Sequence, residues 1–389
     1  METAGRTETH KRALILGYLT YRGDARVKNQ VRVLVENGYL VDLICLAEDS
    51  GGNVDAANLL GIDVPHYRGS RTLRYIRSYS NFFLRAITKT TLLSIRRRYN
   101  VAIACNMPDF LVLCLMAPKL RGARIVLDVH DPMPELFGVK FGRPPGSLGE
   151  RALRIEERVS CWFADRVLAT HGLHARRLQS AGAPARKLRT VVTAPSPALF
   201  RYSTSPLNRG TSFRLVYHGT IAPRLGVEVA IRAMSRLRGT IGNIELLLLG
   251  RGDGLEAGQR LTCELDLQSL IRFEPPIAVE ALPERLRGCA VGIVPNRKNA
   301  ATEIMLPVKL LEYAMLGIPV VAARLAPITQ YFDNDSVEFF EPDSPEDLAQ
   351  AVARLYRKPA RCASIAANAN RIARELCAGW DENYLKAVE

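Results

Sequence analysis

The sequence predicts an α/β fold of two domains, each built around a parallel β-sheet with helices on both faces. At 389 residues the chain is too long for one ordinary core and long enough for two. Short apolar runs of strand length alternate with segments of helical spacing, and this series occurs twice. Between the two series, residues 203–212 are polar, contain Pro and Gly and lack periodicity, so they are predicted to form the interdomain linker.

The N-terminal half, residues 1–202, begins with a strand, a loop and a helix. The first apolar run ends in Gly17, and Gly38 is the predicted stop of the first helix. Ser147 and Glu150 have the spacing of a capping box, which predicts the start of another helix. The predicted strands are residues 12–17, 40–46, 101–105, 123–129, 166–170 and 190–193, and the predicted helices are residues 26–36 and 147–163.

The C-terminal half repeats the alternation over residues 213–370. Ser344 and Pro345 match an N-cap and a first helical position, and helical sequence then continues to the C-terminus with a break near Gly379. Ligands of such parallel sheets bind at the carboxyl ends of the strands, so two halves of this kind predict a cleft between them. The predicted strands are residues 214–218, 244–250, 271–274, 290–295, 319–323 and 337–341, and the predicted helices are residues 226–237, 306–316 and 344–356.

The composition is globular, with 48% apolar and 24% charged residues. The sequence contains no run of about 20 apolar residues, so we expect no transmembrane helix. The polar N-terminus lacks the apolar segment of a secretory signal. The eight cysteines form no C-x-x-C pair and are interpreted as buried, reduced thiols of a cytoplasmic protein. The net charge of +14 indicates an anionic partner, but no zinc spacing, aromatic RNP pattern or helix-turn-helix signature is present, so we expect no nucleic-acid binding.

The segment LPVKLLEYAMLGIPVVA, residues 306–322, has the strongest functional pattern. Pro307 fits the first helical position, where free backbone N–H groups and the helix dipole favour a diphosphate. Lys309 in the first turn adds a positive charge, and Glu312 can accept hydrogen bonds from the two hydroxyls of a ribose. An ordinary amphipathic helix with both side chains in solvent is the alternative interpretation.

A second strand–loop–helix segment, VYHGTIAPRLGVEVAI, contains Gly219 and Arg224. Gly219 permits a close approach between backbone and ligand, and Arg224 offers a fork of donors to phosphate oxygens. A solvated loop arginine is the alternative. Two helix-starting loops in one domain, each with a cation, favour phosphate binding.

A third segment, IVLDVHDPMPELF, runs from a buried strand directly into four ionisable side chains. Asp128, His130, Asp131 and Glu135 would be costly at a strand end without partners or a function. We therefore favour a functional role over a purely structural histidine.

Residues 71–98 predict a basic amphipathic helix or helix pair. In one interpretation the apolar side packs on the sheet and the cationic side faces solvent. In the other the helix contacts anionic lipid, at about 1 kcal/mol per cation. The predicted apolar side is Leu73, Ile76, Phe83, Leu84, Ile87 and Ile95, and the cationic side is Arg71, Arg74, Arg85, Lys89 and Arg96.

In their order and spacing, these segments resemble the family-4 glycosyltransferases of the GT-B fold over nearly the whole chain. The shared motifs are D-x-H-D-x-x-P-E from Asp128, G-T-I-A-x-R-x-G from Gly219, LLLLGRGDG at residues 246–254, and P-x-K-L-L-E-Y…G-x-P-V-V from Pro307. Residues 165–200 are similar to the last N-domain stretch of the family, which usually has Asn where this chain has Ala194. Trp380 resembles part of the closing helix of the family, so residues 371–389 are predicted to return to the N-terminal domain.

The resemblance implies two facing Rossmann-like domains and a retaining, metal-independent transfer from a nucleotide-sugar donor, with no additional cofactor. UDP is the expected nucleotide because it is common in the family. Arg224 and Lys309 would neutralise the leaving diphosphate, Glu312 would hold the ribose, and His130 would face the sugar near the transferred bond. The implied donor-site residues are Gly219, Arg224, Gly250, Glu303, Leu306, Pro307, Lys309 and Glu312, with residues 275–278 facing the base.

One departure concerns the first of two glutamates that family members commonly carry eight positions apart. Ile304 stands eight residues before Glu312, and Glu303 is displaced by one residue. Either Glu303 serves through a bulged loop, or backbone N–H groups of residues 302–306 hold the sugar. A non-catalytic accessory subunit, or another nucleotide-sugar enzyme such as an epimerase, is therefore kept as an alternative.

The acceptor is expected to be a hydroxyl-bearing molecule of glycan, glycolipid or metabolite biosynthesis, bound by the N-terminal domain. Asp24 and Arg26 either contact it or cap the first helix, and Asp131 and Glu135 are further acceptor-side candidates. The first loop lacks G-x-G-x-x-G, which argues against dinucleotide binding there. The basic helix would suit a lipid-linked acceptor handled at the anionic inner face of a membrane.

Overall fold

The computed structural model describes residues 11–47, 53–65, 67, 72–202 and 212–389. Residues 203–211 of the predicted linker, and Arg71 of the basic stretch, lie outside the described residues. Within these ranges the chain forms two α/β lobes, one on each side of the predicted linker.

The N-terminal lobe has an eight-stranded sheet that is parallel except for its short edge strand. Its central strands are continuous apolar runs because helices cover both faces of the sheet. The elements are β1 (Lys11–Gly17), α1 (Ala25–Glu36), β2 (Tyr39–Leu46), β3 (Asn53–Val54), β4 (Ala57–Ile62), α2 (Thr72–Arg96), β5 (Val101–Cys105), α3 (Met116–Leu120), β6 (Arg124–Val129), α4 (Met133–Phe141), α5 (Leu148–Phe163), β7 (Arg166–Ala169), α6 (Gly172–Ser180) and β8 (Leu188–Thr190). The strand order is β3-β4-β2-β1-β5-β6-β7-β8.

The C-terminal lobe has a six-stranded sheet, fully parallel, with its own apolar core. The elements are β9 (Phe213–Thr220), α7 (Val227–Leu237), β10 (Ile244–Arg251), α8 (Leu255–Glu264), β11 (Ile271–Glu274), α9 (Leu282–Arg287), β12 (Val291–Val294), α10 (Val308–Leu316), β13 (Val320–Ala323), α11 (Ala326–Thr329), β14 (Glu338–Phe340), α12 (Pro345–Arg357), α13 (Pro359–Cys377) and α14 (Trp380–Val388). The strand order is β11-β10-β9-β12-β13-β14.

The last helix crosses back to the N-terminal lobe, as the resemblance implied. Helix α13 packs on the C-terminal core, and Gly379, with φ of +62°, then redirects the chain into α14. Tyr384 and Val388 of α14 are buried in the same cluster as the strands β1 and β2. The Trp380 indole donates a hydrogen bond to the Val192 carbonyl at 2.6 Å. The predicted fold class, two facing parallel-sheet domains with a returning C-terminal helix, is confirmed.

Most predicted strands are confirmed, but the strand predicted at residues 190–193 begins two residues earlier and ends three residues earlier. Strand β8 spans Leu188–Thr190, and the chain then leaves the sheet. The carbonyl of Val192 instead accepts the hydrogen bond of the returning Trp380. A contact with a residue 188 positions away therefore follows directly after this strand.

Helix α2 presents a different apolar face from the one predicted. Phe82 and Ala86 are buried against the sheet, whereas Leu73, Leu84 and Ile95 are 83%, 64% and 66% exposed. The helix has more apolar residues than one face can hold, so several point outward beside its arginines. In the described part of the chain no helix has both the length and the apolar character needed to cross a bilayer.

Candidate functional site

The candidate site lies at the carboxyl edge of the C-terminal sheet, where β9, β10 and the start of α10 meet. Gly219 has φ of +106°, and a Cβ there would lie 3.7 Å from Lys309 Nζ. A Cβ at Gly250 would lie 1.9 Å from the Gly219 carbonyl oxygen. The structure therefore brings the two predicted glycines together, and their missing side chains keep this edge open.

Two cationic side chains lie beside this edge without a hydrogen-bonded anion in the described residues. The buried Lys309 Nζ makes no hydrogen bond and lies 3.6 Å from the centre of the Tyr217 ring. The Nε atom of Arg224 is also buried without a hydrogen-bond partner. Burial lowers the pKa of Lys309 to about 7, with Glu312 opposing the shift and Arg224 adding to it. An anionic ligand here would neutralise both cations.

The donor loop, residues 299–307, leads into α10 and leaves a few backbone donors free. The amides of residues 302–305 donate to Asn299 or Ala301 inside the loop at 3.0–3.1 Å. The N–H groups of Leu306, Val308 and Lys309 have no hydrogen-bond partner among the described residues. These free donors at a helix start, next to the two cations, form a cradle for an anion.

The donor loop also contains Glu303, the glutamate that is displaced by one residue from the family pattern. Pro307 is the N-cap of α10, one residue before the position predicted for it, because the helix starts at Val308. Glu303 is half-buried, and its carboxylate makes no ion pair or hydrogen bond with another described residue. The amides of residues 302–305 already donate hydrogen bonds within the loop. Of the backbone N–H groups that were predicted to hold the sugar in place of Glu303, only that of Leu306 is therefore free among the described residues.

Glu312 is held by a buried histidine that the sequence analysis missed. Glu312 Oε2 lies 2.6 Å from His218 Nε2, and His218 Nδ1 lies 2.9 Å from the Tyr313 hydroxyl. The Tyr313 hydroxyl also lies 3.2 Å from the Val216 carbonyl oxygen. The other carboxylate oxygen of Glu312 makes no hydrogen bond among the described residues, and Glu312 lines the cleft between the lobes. The only sequence signals were a histidine next to Gly219 and a tyrosine next to Glu312.

His130 follows β6 and lies in the N-terminal lobe. Its backbone N–H donates to Asn106 Oδ1 at 2.9 Å, which fixes the turn after the strand. His130 Nε2 lies 2.9 Å from Asp128 Oδ2, although neither ring nitrogen has the alignment of a hydrogen bond. The ring lines a small cavity of ≈ 20 Å³ together with Arg26 and Tyr384.

Asp24 and Arg26 perform the helix-capping role that was one of their two predicted alternatives. Asp24 is the N-cap of α1 and accepts from the backbone N–H groups of Arg26 and Val27. Its carboxylate also pairs with the Arg26 guanidinium at 2.8 Å and 3.0 Å. Burial alone would raise the pKa of Asp24, but Arg26 outweighs it and lowers the pKa to about 2. Arg26 lines the cleft as well, so its acceptor-side role stays a prediction.

The two other acceptor-side candidates differ in their surroundings. The Glu135 carboxylate is buried and accepts from Arg177 at 2.6 Å and from Arg154 at 3.3 Å. With both oxygens engaged, the contacts of Glu135 are structural. Asp131 is half-buried, and its backbone is held by Asn106, whose side chain contacts both the N–H and the carbonyl of Asp131.

One group of side chains in the described residues has the spacing of metal ligands. Cys105, Asp128 and His130 each place a ligand atom within 4.8 Å of the others. Burial raises the pKa of the Cys105 thiol well above its ordinary value, and Asp128 adds to the shift. A thiol must lose its proton to bind a metal, and Asp128 already accepts from Gln30. A metal ion bound here would have to displace the thiol proton and compete with Gln30 for Asp128.

A cleft of ≈ 370 Å³ separates the lobes in front of Glu312. Arg26 and Lys28 of α1 line one side, and Val308 with Glu312 lines the other. Lys28 Nζ lies 2.6 Å from Glu280 Oε1, so an ion pair joins the lobes across this cleft.

Two facing parallel-sheet lobes, a cleft between them and a returning C-terminal helix define the GT-B class of α/β proteins. Residues 23–193 match the family described as glycosyl transferase 4-like domain, and residues 212–358 match glycosyl transferases group 1. The chain belongs to the family-4, group 1 glycosyltransferases.

Individual proteins support the same assignment. The chain is 28% identical over 269 residues to the D-inositol 3-phosphate glycosyltransferase of Thermomonospora curvata. The aligned region covers 63% of this chain and 61% of that protein. The match thus spans about three fifths of the length of this curated relative.

Solved structures show the fold over almost the entire chain. Sucrose-phosphate synthase of Thermosynechococcus elongatus superposes with a TM-score of 0.77 at 15% identity, covering 97% of both chains. Anabaena Alr3699/HepE in complex with UDP-glucose superposes with a TM-score of 0.72 at 15% identity, covering 97% of this chain and 99% of that one.

Proposed function

We propose that this protein is a retaining glycosyltransferase that moves a sugar from a nucleotide-sugar donor, by default a UDP-sugar, to a hydroxyl acceptor. One observation carries the proposal. Lys309 and Arg224 are half-buried cations whose Nζ and Nε atoms are buried without a hydrogen-bond partner in the described residues, and they lie beside the free N–H groups that start α10. This arrangement suits the diphosphate of a nucleotide sugar.

The same groups can support the chemistry. Cleavage of a glycosyl phosphate leaves negative charge on the departing diphosphate, and charge that develops in the transition state is what fixed cations stabilise best. Arg224, Lys309 and the N–H groups of the cradle can supply this stabilisation without a metal ion. We therefore propose metal-independent transfer, with His130 of the N-terminal lobe, whose ring is nearly buried beside Asp128, facing the sugar.

The nucleoside end is assigned to Glu312. Its free carboxylate oxygen can accept hydrogen bonds from the ribose hydroxyls, while His218 holds the other oxygen. UDP is the default nucleotide because the structurally similar Anabaena protein was solved with UDP-glucose. The related Thermomonospora protein is named for D-inositol 3-phosphate, so a phosphorylated polyol is one acceptor class for testing.

We also propose that the protein acts at the anionic inner face of a membrane, on a lipid-linked acceptor. Helices α2, α3 and α5 pack over the same face of the N-terminal sheet and present apolar side chains to solvent. The carboxylates of α5 point inward, since Glu150 and Glu157 are buried, and α2 and α3 contain none. We name this cationic and apolar surface the outer helical face; it comprises Leu73, Arg74, Ile76, Arg77, Leu84, Leu92, Ile95, Arg96, Met116, Leu120, Arg121, Arg151, Ile155, Arg158, Val159 and Trp162.

Calorimetric titration of UDP, GDP, ADP and TDP tests the donor site. With EDTA present, one nucleotide should bind to the protein, and Glu312→Ala should weaken that binding by at least about tenfold, because ribose hydrogen bonds to a carboxylate are lost. Glu245→Ala is the matched control, since Glu245 of β10 pairs with Arg214 away from the site.

The alternatives give different results in the same series. Absence of binding by all four nucleotides would favour the accessory-subunit interpretation. If a nucleotide sugar binds and its sugar is converted without an acceptor, the protein is an epimerase-type enzyme instead. A requirement for a divalent ion would contradict the metal-independent mechanism.

A further inference from the structure

His171 lies between the two lobes, and the sequence analysis did not select it as a candidate site residue. It follows β7 and is the N-cap residue of α6, and it is completely buried. Its Nε2 atom lies 2.5 Å from the carbonyl oxygen of Ile304 in the donor loop. A carbonyl oxygen only accepts, so Nε2 must carry the proton of this hydrogen bond.

This bond is the one hydrogen bond in the described residues that joins the N-terminal lobe to the donor loop. The other hydrogen bonds of the loop stay within it or go to the Arg297 carbonyl of its own lobe. The Asn299 side chain accepts from the amides of Ala301 and Thr302, and the Ala301 carbonyl accepts from Ile304 and Met305. Contact with His171 therefore sets the position of the whole turn relative to the N-terminal lobe.

The neighbouring residue makes a second contact across the lobes. The Gly172 N–H donates to the Tyr331 hydroxyl at 3.4 Å, and the His171 ring meets the Tyr331 ring edge-on at 6.3 Å. Tyr331 follows α11 in the C-terminal lobe and lies outside the donor loop. One short segment of the N-terminal lobe thus touches two separate parts of its partner lobe.

The surroundings of His171 favour a neutral imidazole. Burial lowers the pKa of His171, the Ile304 carbonyl opposes this shift, and Arg176 adds to it. The other titratable ring nearby is His174, whose ring centre is 6.2 Å away. A neutral Nε2–H donor is the state that the observed contact requires.

We propose that His171 is a positioning residue, which holds the donor loop in its working place when the lobes come together. Leu306 follows Ile304 by two residues and supplies the first free N–H group of the cradle. Fixing the Ile304 peptide therefore also fixes the position of this N–H group. The inference rests on the proposed transferase function and assigns a role to a residue outside its donor-binding set.

The proposal separates two steps of the reaction. The groups assigned to the nucleoside diphosphate, Arg224, Lys309 and Glu312, all belong to the C-terminal lobe, so UDP can bind without the His171 contact. Alignment of the sugar for transfer needs the closed arrangement, in which the contact exists. Loss of His171 should therefore lower turnover more than it weakens UDP binding.

The test compares two variants of His171. His171→Phe removes the Nε2–H group that bonds to the Ile304 carbonyl, and His171→Gln supplies an amide N–H in its place. Release of UDP from UDP-glucose gives turnover, calorimetry gives the affinity for UDP, and thermal unfolding checks the fold. His171→Phe should lower kcat about tenfold, as expected for one lost hydrogen bond to a positioned group, with UDP affinity changed less than about threefold. His171→Gln should recover much of the loss. Tyr331→Phe is the control, because it removes the neighbouring contact and leaves the donor loop untouched.

The outcomes are distinct. Wild-type kcat in folded His171→Phe, or a His171→Gln variant no better than His171→Phe, would overturn the proposal. A wild-type protein that binds neither UDP nor GDP, and releases neither UDP from UDP-glucose nor GDP from GDP-mannose, would instead contradict the transferase function itself. If His171→Phe does not fold, ¹⁵N-histidine spectra of the wild-type protein decide, since His171 must show a protected Nε2–H that changes when UDP-glucose is added.

Discussion

At the scale of single residues, the charge of Lys309 couples the candidate site to the proposed diphosphate ligand. A buried ammonium without a hydrogen-bonded anion is unfavourable, and this is why its pKa falls from 10.5 to about 7. Between these values the unfolded chain binds more protons than the folded protein, so this group makes stability rise with pH. Below pH 7 the cost of the buried charge is fully present. A diphosphate would reverse the situation by stabilising the charged form.

The first prediction is that UDP binding at pH 8.5 takes up close to one proton. Free Lys309 is mostly neutral at this pH, and the diphosphate recharges it. Affinity should therefore fall with rising pH above 7, by at most about tenfold per pH unit for one linked proton. Calorimetry in two buffers of different ionisation enthalpy measures the uptake. Lys309→Met should bind UDP weakly and take up no proton, and proton-free binding by the wild-type protein would refute this account.

The second prediction concerns the hydrogen bonds behind Glu312. Tyr313→Phe removes the hydroxyl that lies 2.9 Å from His218 Nδ1, so the imidazole and Glu312 lose part of their support. UDP affinity should fall by about threefold to tenfold, the effect of one hydrogen bond acting through a neighbour. Tyr356→Phe is the control, since the Tyr356 ring packs on Phe213. Equal affinities of the two variants would show that Glu312 does not need this support.

At the scale of elements, short turns between a strand and the following helix position the residues of the candidate site. Gly226 closes the short turn that carries Arg224 and has φ of +70°. A Cβ at Gly226 would lie 1.8 Å from the Pro295 carbonyl oxygen after β12. The glycine is thus required both by its backbone angle and by the space beside it.

The third prediction is that Gly226→Ala lowers the free energy of unfolding by about 1–3 kcal/mol or more, the cost of a strained backbone plus a clash. Urea unfolding of the purified protein measures the change. UDP affinity should fall as well, because the turn that places Arg224 must move. Gly239→Ala is the control, since nothing lies within 4 Å of a Cβ at that position. A Gly226→Ala protein as stable as this control would show that the turn tolerates a side chain.

At the scale of the whole molecule, the donor site and the outer helical face belong to different lobes. Two of the cations first considered for lipid contact are tied down, since Arg85 donates to the Asp63 carbonyl at 2.7 Å and Lys89 to the Gly61 carbonyl at 2.8 Å. Arg74, Arg77 and Arg96 are exposed and better placed to meet an anionic surface.

The fourth prediction is that replacing Arg74, Arg77 and Arg96 by Gln weakens binding to phosphatidylglycerol-containing vesicles by at least about tenfold, because each cation contributes about 1 kcal/mol near a charged leaflet. Co-sedimentation measures the binding. UDP affinity should stay unchanged, since the proposed nucleotide site lies in the C-terminal lobe. Replacing Arg232, Arg260 and Arg374 of the C-terminal lobe is the matched control. Similar binding by both triple variants would argue against the outer helical face.

Much of the fold follows from local patterns. The strands at residues 101–105 and 271–274 end where they were predicted, because a short apolar run bounded by polar residues specifies a buried strand. The caps Ser147 and Ser344 are confirmed for the same reason, since capping depends on residues three positions apart. Lys309 and Glu312 were predicted as site residues because both lie on one short helix behind a proline.

Only the tertiary structure decided which distant groups meet. His218 and Glu312 are 94 residues apart, and they touch because β9 and α10 end at one edge of the sheet. His171 and Ile304 are 133 residues apart and meet only because the lobes face each other. Periodicity specifies spacing along one helix, whereas the face that a sheet covers depends on all the neighbours, which is why the exposed side of α2 was not predictable. The sequence thus determined the elements and the charged residues of the site, and the packing of the elements determined the partners of those residues.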